Sequence, residues 1–192
     1  MMFKRLYQTV LEWAEHPKAV KYLFGLSFAE ASFFPIPPDV MLAPMCLVQP
    51  ARSMRLATVT TVASVAGGVF GYLIGYLAFD FIEPAIQSIG YTHKFELVKE
   101  WFDEWGFWAI LIAGFSPVPY KVFTISAGVL NMFLVPFVLA SILGRGARFF
   151  LVAYLISLGG DDLRVNLGKN IEKIGWIVSL LVIIGIVVYK MT

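Results

Sequence analysis

Phe34-Pro35-Ile36-Pro37-Pro38-Asp39 and Ser116-Pro117-Val118-Pro119-Tyr120-Lys121 are the two stretches that decide the fold. They superimpose at a constant offset of 82, with Pro35 on Pro117, Ile36 on Val118, Pro37 on Pro119 and Asp39 opposite Lys121. A proline deletes a helical N–H and its ring clashes with the preceding turn, so two prolines separated by one residue end a helix. Apolar runs flank both breaks. In hydrocarbon, the carbonyls that a break frees need partners, and non-helical backbone survives there only inside protein or beside a watery cavity. Two such breaks in matching positions of two halves point to a transport site where the halves meet. Downstream, Gly67-Gly68-Val69-Phe70-Gly71-Tyr72 and Gly144-Arg145-Gly146-Ala147-Arg148-Phe149 extend the likeness at a shifted offset, so the chain is read as an internal duplication.

The surroundings of the breaks are apolar throughout. Of 192 residues, 59% are hydrophobic and only 15% charged, with a mean hydropathy of +0.77. Average soluble domains carry about 25% charged residues, and a domain this small still exposes roughly 30% of its unfolded surface. Lipid is the remaining solvent, which argues against a soluble enzyme, a disordered regulator and a disulfide scaffold. The single cysteine, Cys46, has no internal partner, and a net charge of +2 is too small for electrostatic nucleic-acid binding.

A spanning helix needs about 20 apolar residues. Leu56 to Phe79 is 24 residues without a charge, and Trp105 to Gly144 is 40 residues whose only charge is Lys121. Ile174 to Tyr189 adds 16 uncharged residues, whereas the 12-residue runs from Val40 and from Phe149 are too short to span alone. The predicted fold is therefore an all-α integral membrane protein. It is an inverted repeat with two opposed re-entrant helical hairpins, about three full transmembrane helices, and amphipathic interfacial helices. The expected layout is one membrane domain: an amphipathic entry helix over 1–28, a first re-entrant hairpin over 29–52 and a spanning helix over 54–86. An interfacial helix over 92–106, a second hairpin over 107–130, and spanning helices over 132–158 and 173–191 complete it. The start has no signal-peptide pattern, because Glu12, Glu15 and His16 interrupt the stretch after Lys4 and Arg5.

Basic residues orient this layout. One side holds Lys4, Arg5, Lys18, Lys21, Arg52, Arg55, Arg164, Lys169 and Lys173, and the other holds Lys94, Lys99 and Lys190. The positive-inside rule then predicts a cytoplasmic N-terminus and an extracytoplasmic loop near Lys94. The two halves acquire opposite orientations, as an inverted repeat requires.

Charges at membrane depth are costly, roughly 2.5–3.5 kcal/mol each on insertion scales, so they pair or face water. Glu30 and Asp39 come from the first half, and Lys121, Arg145 and Arg148 from the second, which predicts a central cluster across the repeat interface. Arg145 and Arg148 are three apart and share a helical face. The duplication suggests that Asp39 neutralises Lys121. Asp80, at a helix end, is expected to be an interfacial anchor. Gly67, Gly71 and Gly75 form two consecutive G-x-x-x-G steps, a flat face for close helix packing. Catalysis has little support: His16 and His93 lie outside the apolar segments, Ser116 is not in G-x-S-x-G, and no metal or phosphate-loop motif occurs. The chain is expected to be no enzyme and to need neither cofactor nor metal.

Glu30 followed by Phe-Pro-x-Pro-x-Asp, the glycine-rich Gly67–Tyr76 helix, Ser-Pro-x-Pro-x-Lys at 116–121, Ala127-Gly128 and Gly144–Phe149 resemble the DedA family, which shares the VTT (SNARE-associated) domain. The resemblance runs from about Ala29 to Ser157. It implies a multi-pass protein of the bacterial inner membrane with opposed re-entrant hairpins. It also implies movement of phospholipid or undecaprenyl phosphate between leaflets, with dependence on the proton motive force proposed for some members. The family's acidic pair maps onto Glu30 and Asp39, and its basic residues onto Lys121, Arg145 and Arg148. Many members carry arginine where this chain has Lys121, and lysine does not grip a phosphate bidentately. The Glu30–Asp39 spacing is also shorter than in some branches.

The expected function is a lipid flippase or scramblase acting on a phosphate-bearing head group, with proton coupling open. Membrane lipids and protons are the expected partners, nucleic acid is not, and a homo-oligomer is compatible with the sequence. A proton- or ion-coupled transporter of a small solute, and a structural membrane protein with a static ion-pair cluster, are the competing expectations.

Overall fold

The computed structural model describes residues 12–88, 92–116 and 118–159, and these are helical apart from short turns. The helices are α1 (Ala19–Ser32), α2 (Asp39–Val48), α3 (Ser53–Ser88), α4 (Thr92–Phe115), α5 (Tyr120–Val129) and α6 (Leu134–Gly159), with a 3-10 turn, Pro50–Arg52, leading into α3. Among the described residues, Pro50–Phe81 and Leu134–Gly159 are long and apolar enough to cross a membrane. The expected third span at 173–191, the start before residue 12 and Pro117 lie outside the described residues.

α3 is the spine. Its 36 residues reach about 54 Å at 1.5 Å per residue, well beyond the roughly 30 Å of a hydrocarbon core. Its hydroxyls bond back one turn, Thr58 to the Met54 carbonyl, Thr60 to Leu56 and Thr61 to Ala57, so they need no water. Glycines let the neighbouring helices approach. A Cβ on Gly67 would strike the Phe28 carbonyl of α1, one on Gly75 would strike the Ile125 carbonyl of α5, and one on Gly71 would lie 2.5 Å from Thr124 Oγ1 and 3.2 Å from the Ala31 carbonyl. The G-x-x-x-G face thus packs against both halves.

The pairings fix directions. Ala19 and Leu23 share a buried cluster with Leu56 and Ala57, while Ala31 sits beside Gly71, so α1 runs parallel to α3. Tyr120 lies by Gly68 and Ile125 by Gly75, so α5 does too. α6 runs antiparallel to α3, because Tyr72 donates to the Met132 carbonyl at 2.7 Å while Arg145 reaches Ser64. α4 follows α6, with Gly106 near Met132, Leu111 against Gly144 and Ser116 against Arg148. Consequently α1 and α4 come from opposite ends of α3, and their C-termini meet near its middle.

Each break resumes as a helix of the same length, the ten residues of α2 and the ten of α5. At the first, the N–H groups of Phe33 and Phe34 both donate to the Ala29 carbonyl at 2.8 Å before Pro35 ends the pattern. Pro35, Ile36 and Pro37 are exposed and Pro38 is buried. Two expected boundaries differ. α4 is continuous across 106/107 and α1 across 28/29, so neither expected boundary coincides with a helix break. At 106 the sequence turns from charged to apolar without a helix break, because Gly106 alone costs a helix only about 1 kcal/mol.

Candidate functional site

The breaks create acceptors. The Phe33 carbonyl at the end of α1 and the Ser116 carbonyl after α4 lie beyond the last regular helical turns, and neither has an i+4 helical donor. Each is met by a cation from the second half of the chain. Lys121 Nζ lies 3.4 Å from the Phe33 carbonyl, and Arg148 donates through Nη1 to the Ser116 carbonyl at 2.8 Å. Arg148 Nη2 also pairs with Asp39 Oδ2 at 2.6 Å. One guanidinium therefore ties together the end of α4, the start of α2 and α6. The side chains of this pair keep 20% and 23% of their surface exposed, and Asp39 Oδ1 has no hydrogen-bond partner among the described residues.

One turn earlier on α6 the arrangement is closed. Arg145 is 1% exposed and forms an ion pair with Glu30 of α1. Its Nε donates to Ser64 Oγ at 2.7 Å, and its guanidinium carbon lies 4.9 Å from the Tyr120 ring centroid and 4.6 Å from that of Phe149. Cation–π contacts of this kind gain strength when desolvated. Tyr120 is held in turn, its hydroxyl donating to Ser141 Oγ, which donates to the Phe137 carbonyl at 2.7 Å. Thr124, buried beside it, donates to the Ala31 and Lys121 carbonyls at 3.1 and 3.0 Å.

All five predicted charges gather where the breaks meet, but their pairing differs from the expectation for Asp39. Its partner is Arg148, and Lys121 caps the end of α1. The reason is geometric: a guanidinium fork serves the Ser116 carbonyl and a carboxylate at once, which a lysine ammonium on a flexible stem does less well. Asp80 is exposed near the other end of α3, beside a cavity of about 210 Å³ that Tyr76, Lys99 and Asn131 also line. Sequence reasoning missed Ser64, Ser141 and Tyr120 as supports. Tyr120 stood within the second proline motif, between Pro119 and Lys121, and was the one with a signal.

The VTT domain family matches residues 36–158, a stretch that holds the second break, the first break from Ile36 onward, and Asp39, Lys121, Arg145 and Arg148, while Glu30 and Pro35 lie just before it. The chain is 45% identical over 189 residues to a protein of Haemophilus influenzae described as uncharacterized, covering 98% of each. It is 48% identical over 188 residues to an uncharacterized protein of Histophilus somni, covering 98% of this chain and 97% of that one. No solved structure matches.

Proposed function

Because this chain belongs to the VTT domain family, we propose that it is a non-enzymatic membrane lipid transporter that moves a phosphate-bearing lipid between leaflets. In this proposal the two helical arms, α1–α2 and α4–α5, are re-entrant hairpins whose tips meet at membrane depth, in a bacterial inner membrane with the N-terminus in the cytoplasm.

The observation that carries it is the open state of one ion pair beside a closed one. Arg145 is 1% exposed and enclosed by a carboxylate, a hydroxyl and two rings, so it is closed to a ligand by burial. Arg148 is partly exposed, and the buried Oδ1 of its carboxylate partner has no hydrogen-bond partner among the described residues. Lys121 lies in the first turn of α5, where the helix dipole disfavours a cation by about 0.3–1 kcal/mol. An anion there would meet a positive helix end, Lys121 and Arg148 together. A phosphate arriving at this point replaces Asp39 on Arg148 and draws Lys121 from the Phe33 carbonyl. The released carboxylate is then free to take up a proton. Glu30–Arg145 holds α1 to α6 throughout.

Leaflet exchange of fluorescent phospholipid in proteoliposomes, at matched protein density, tests this. Asp39→Asn, Arg148→Met and Lys121→Met are expected to abolish exchange while still inserting, and Lys121→Arg to retain part of it. Wild-type rates in all three neutralised variants would rule this cluster out as the transport site.

A further inference from the structure

A second feature lies away from the charge cluster. The turn before α1 and the facing surfaces of α1 and α2 enclose a groove of about 480 Å³ lined by Trp13, His16, Tyr22, Leu26 and Met41. A smaller cavity of about 170 Å³ shares Trp13, Leu26 and Met41 with it and adds Val40 and Pro44. The two form one trough, from His16 and Tyr22 at one end to Val40 at the other, and Val40 directly follows Asp39.

The ends differ in chemistry. The Val40 end and the body are apolar. At the other end the His16 and Tyr22 rings lie 6.3 Å apart. The backbone N–H of Lys18 donates to His16 Nδ1 at 3.1 Å, so the neutral ring carries its proton on Nε2 and keeps a donor free. Lys18, the residue before α1, and Lys21, in its first turn, are both exposed and follow His16 closely in the chain. Hydrogen-bond donors at one end of an apolar trough, with two exposed lysines close by in the chain, match a lipid with an anionic head and a hydrocarbon tail. A helix is a poor fit, since two turns of a cylinder 10 Å across fill roughly 850 Å³.

We propose that this trough binds one hydrocarbon chain of a phosphate-bearing lipid, with its phosphate at Lys18, His16 and Lys21. The trough leads the lipid toward the Asp39–Arg148 junction and is its loading site. The inference rests on the transport function proposed above, but binding is measurable separately from movement.

The probe is dibrominated phosphatidylglycerol in phosphatidylcholine vesicles, read by fluorescence of a variant whose only tryptophan is Trp13, with Trp101, Trp105, Trp108 and Trp176 changed to Phe. Quenching of Trp13 is expected to saturate with brominated lipid. Saturation is expected to be lost in Val40→Phe/Met41→Phe, which fills the trough, and to shift several-fold to higher lipid content in Lys18→Gln/Lys21→Gln. A linear response, equal in the parent and the filled variant, would show an ordinary lipid-facing surface and overturn the proposal. So would no quenching, which would mean that residues 174–189 or a second copy of the chain covers the trough. Phosphorus retained per protein after detergent purification supplies a second measure on otherwise wild-type chains. It is expected to fall in Val40→Phe/Met41→Phe, and equal content overturns the proposal. Leaflet exchange in the same vesicles separates the two ideas. Exchange without saturable quenching removes the trough and leaves the transporter, whereas saturable quenching without exchange does the reverse.

Discussion

Arg145→Met and Arg148→Met make the same chemical change one helical turn apart, and the structure assigns them different consequences. Arg145 is 1% exposed and its partner Glu30 has 12% of its side chain exposed. Removing the guanidinium strands a carboxylate in a nearly dry site, which costs about 3–5 kcal/mol. Ser64 also loses its partner, and the Tyr120 and Phe149 rings lose the cation above them. For a chain of 150–250 residues each kcal/mol shifts the melting temperature by about 2–4 °C, so a fall of roughly 6–20 °C is expected. Arg148→Met strands Asp39 where 23% of its side chain is still exposed, and frees the Ser116 carbonyl. Its cost is that of unsatisfied groups near water, about 1–3 kcal/mol, with a correspondingly smaller fall. The assay is thermal unfolding of the purified protein in one detergent, followed by size-exclusion recovery after heating. The decisive comparison is Glu30→Gln/Arg145→Met. If the damage is the stranded charge, the double variant melts above Arg145→Met despite carrying one more change. A double variant no more stable than the single one, or equal losses in Arg145→Met and Arg148→Met, would refute the division into a closed strut and an open pair.

The glycines form a graded series in the same melting assay. Gly25→Ala has open space around the new methyl and is expected to gain about 0.5–1 kcal/mol of helix stability, whereas Gly67→Ala drives a methyl into the Phe28 carbonyl and Gly71→Leu overpacks against Thr124, at a cost of about 1–3 kcal/mol or more. Tolerance of Gly71→Leu would contradict the packing of α3 against α5. Tyr120→Phe is expected to lose about 1 kcal/mol with its hydrogen bond to Ser141, and Tyr120→Ala to lose more, because only the alanine variant also removes the ring beside Arg145. Single cysteines at positions 8 and 93, in a Cys46→Ser background, test the proposed topology. Only position 93 should react with an impermeant thiol reagent from outside intact spheroplasts, and equal labelling at both would end the inverted arrangement.

What the sequence made legible was local chemistry. A proline pair breaks a helix wherever it occurs, and five charges within apolar runs must find company, so both breaks and the whole charge cluster were visible without coordinates. Pairing was not visible. Which of Arg145 and Arg148 meets Glu30 depends on the rotation of α6 about its axis, and two arginines three residues apart share a face without ranking themselves. The duplication put Asp39 and Lys121 at equivalent positions, but equivalence is not contact. In halves that run oppositely, a residue's counterpart is related to it by rotation, and α6 passes closer to Asp39. Ser64 and Ser141 carried no signal, since a buried hydroxyl looks like any other serine on an apolar helix until its partner is known.

The two arginines have complementary tasks because they share α6. A broken helix leaves carbonyls that a low-dielectric environment penalises, and Arg148 and Lys121 repair the two breaks by donating to Ser116 and Phe33. In the proposed mechanism that repair is reversible, since the same donors turn to a stronger acceptor when one arrives. Reversal would loosen the junction if those contacts were all that joined the halves. Arg145 supplies the attachment that does not exchange, joining α6 to Glu30 of α1 and Ser64 of α3. It acts one turn away, close enough to hold α6 in register during the partner change proposed for Arg148. The glycine contacts of α3 with α1 and α5 hold the rest of the frame. Under the proposed function, a partly exposed pair beside a buried one on a single helix is therefore the arrangement that would let a ligand compete for the break without taking the fold apart.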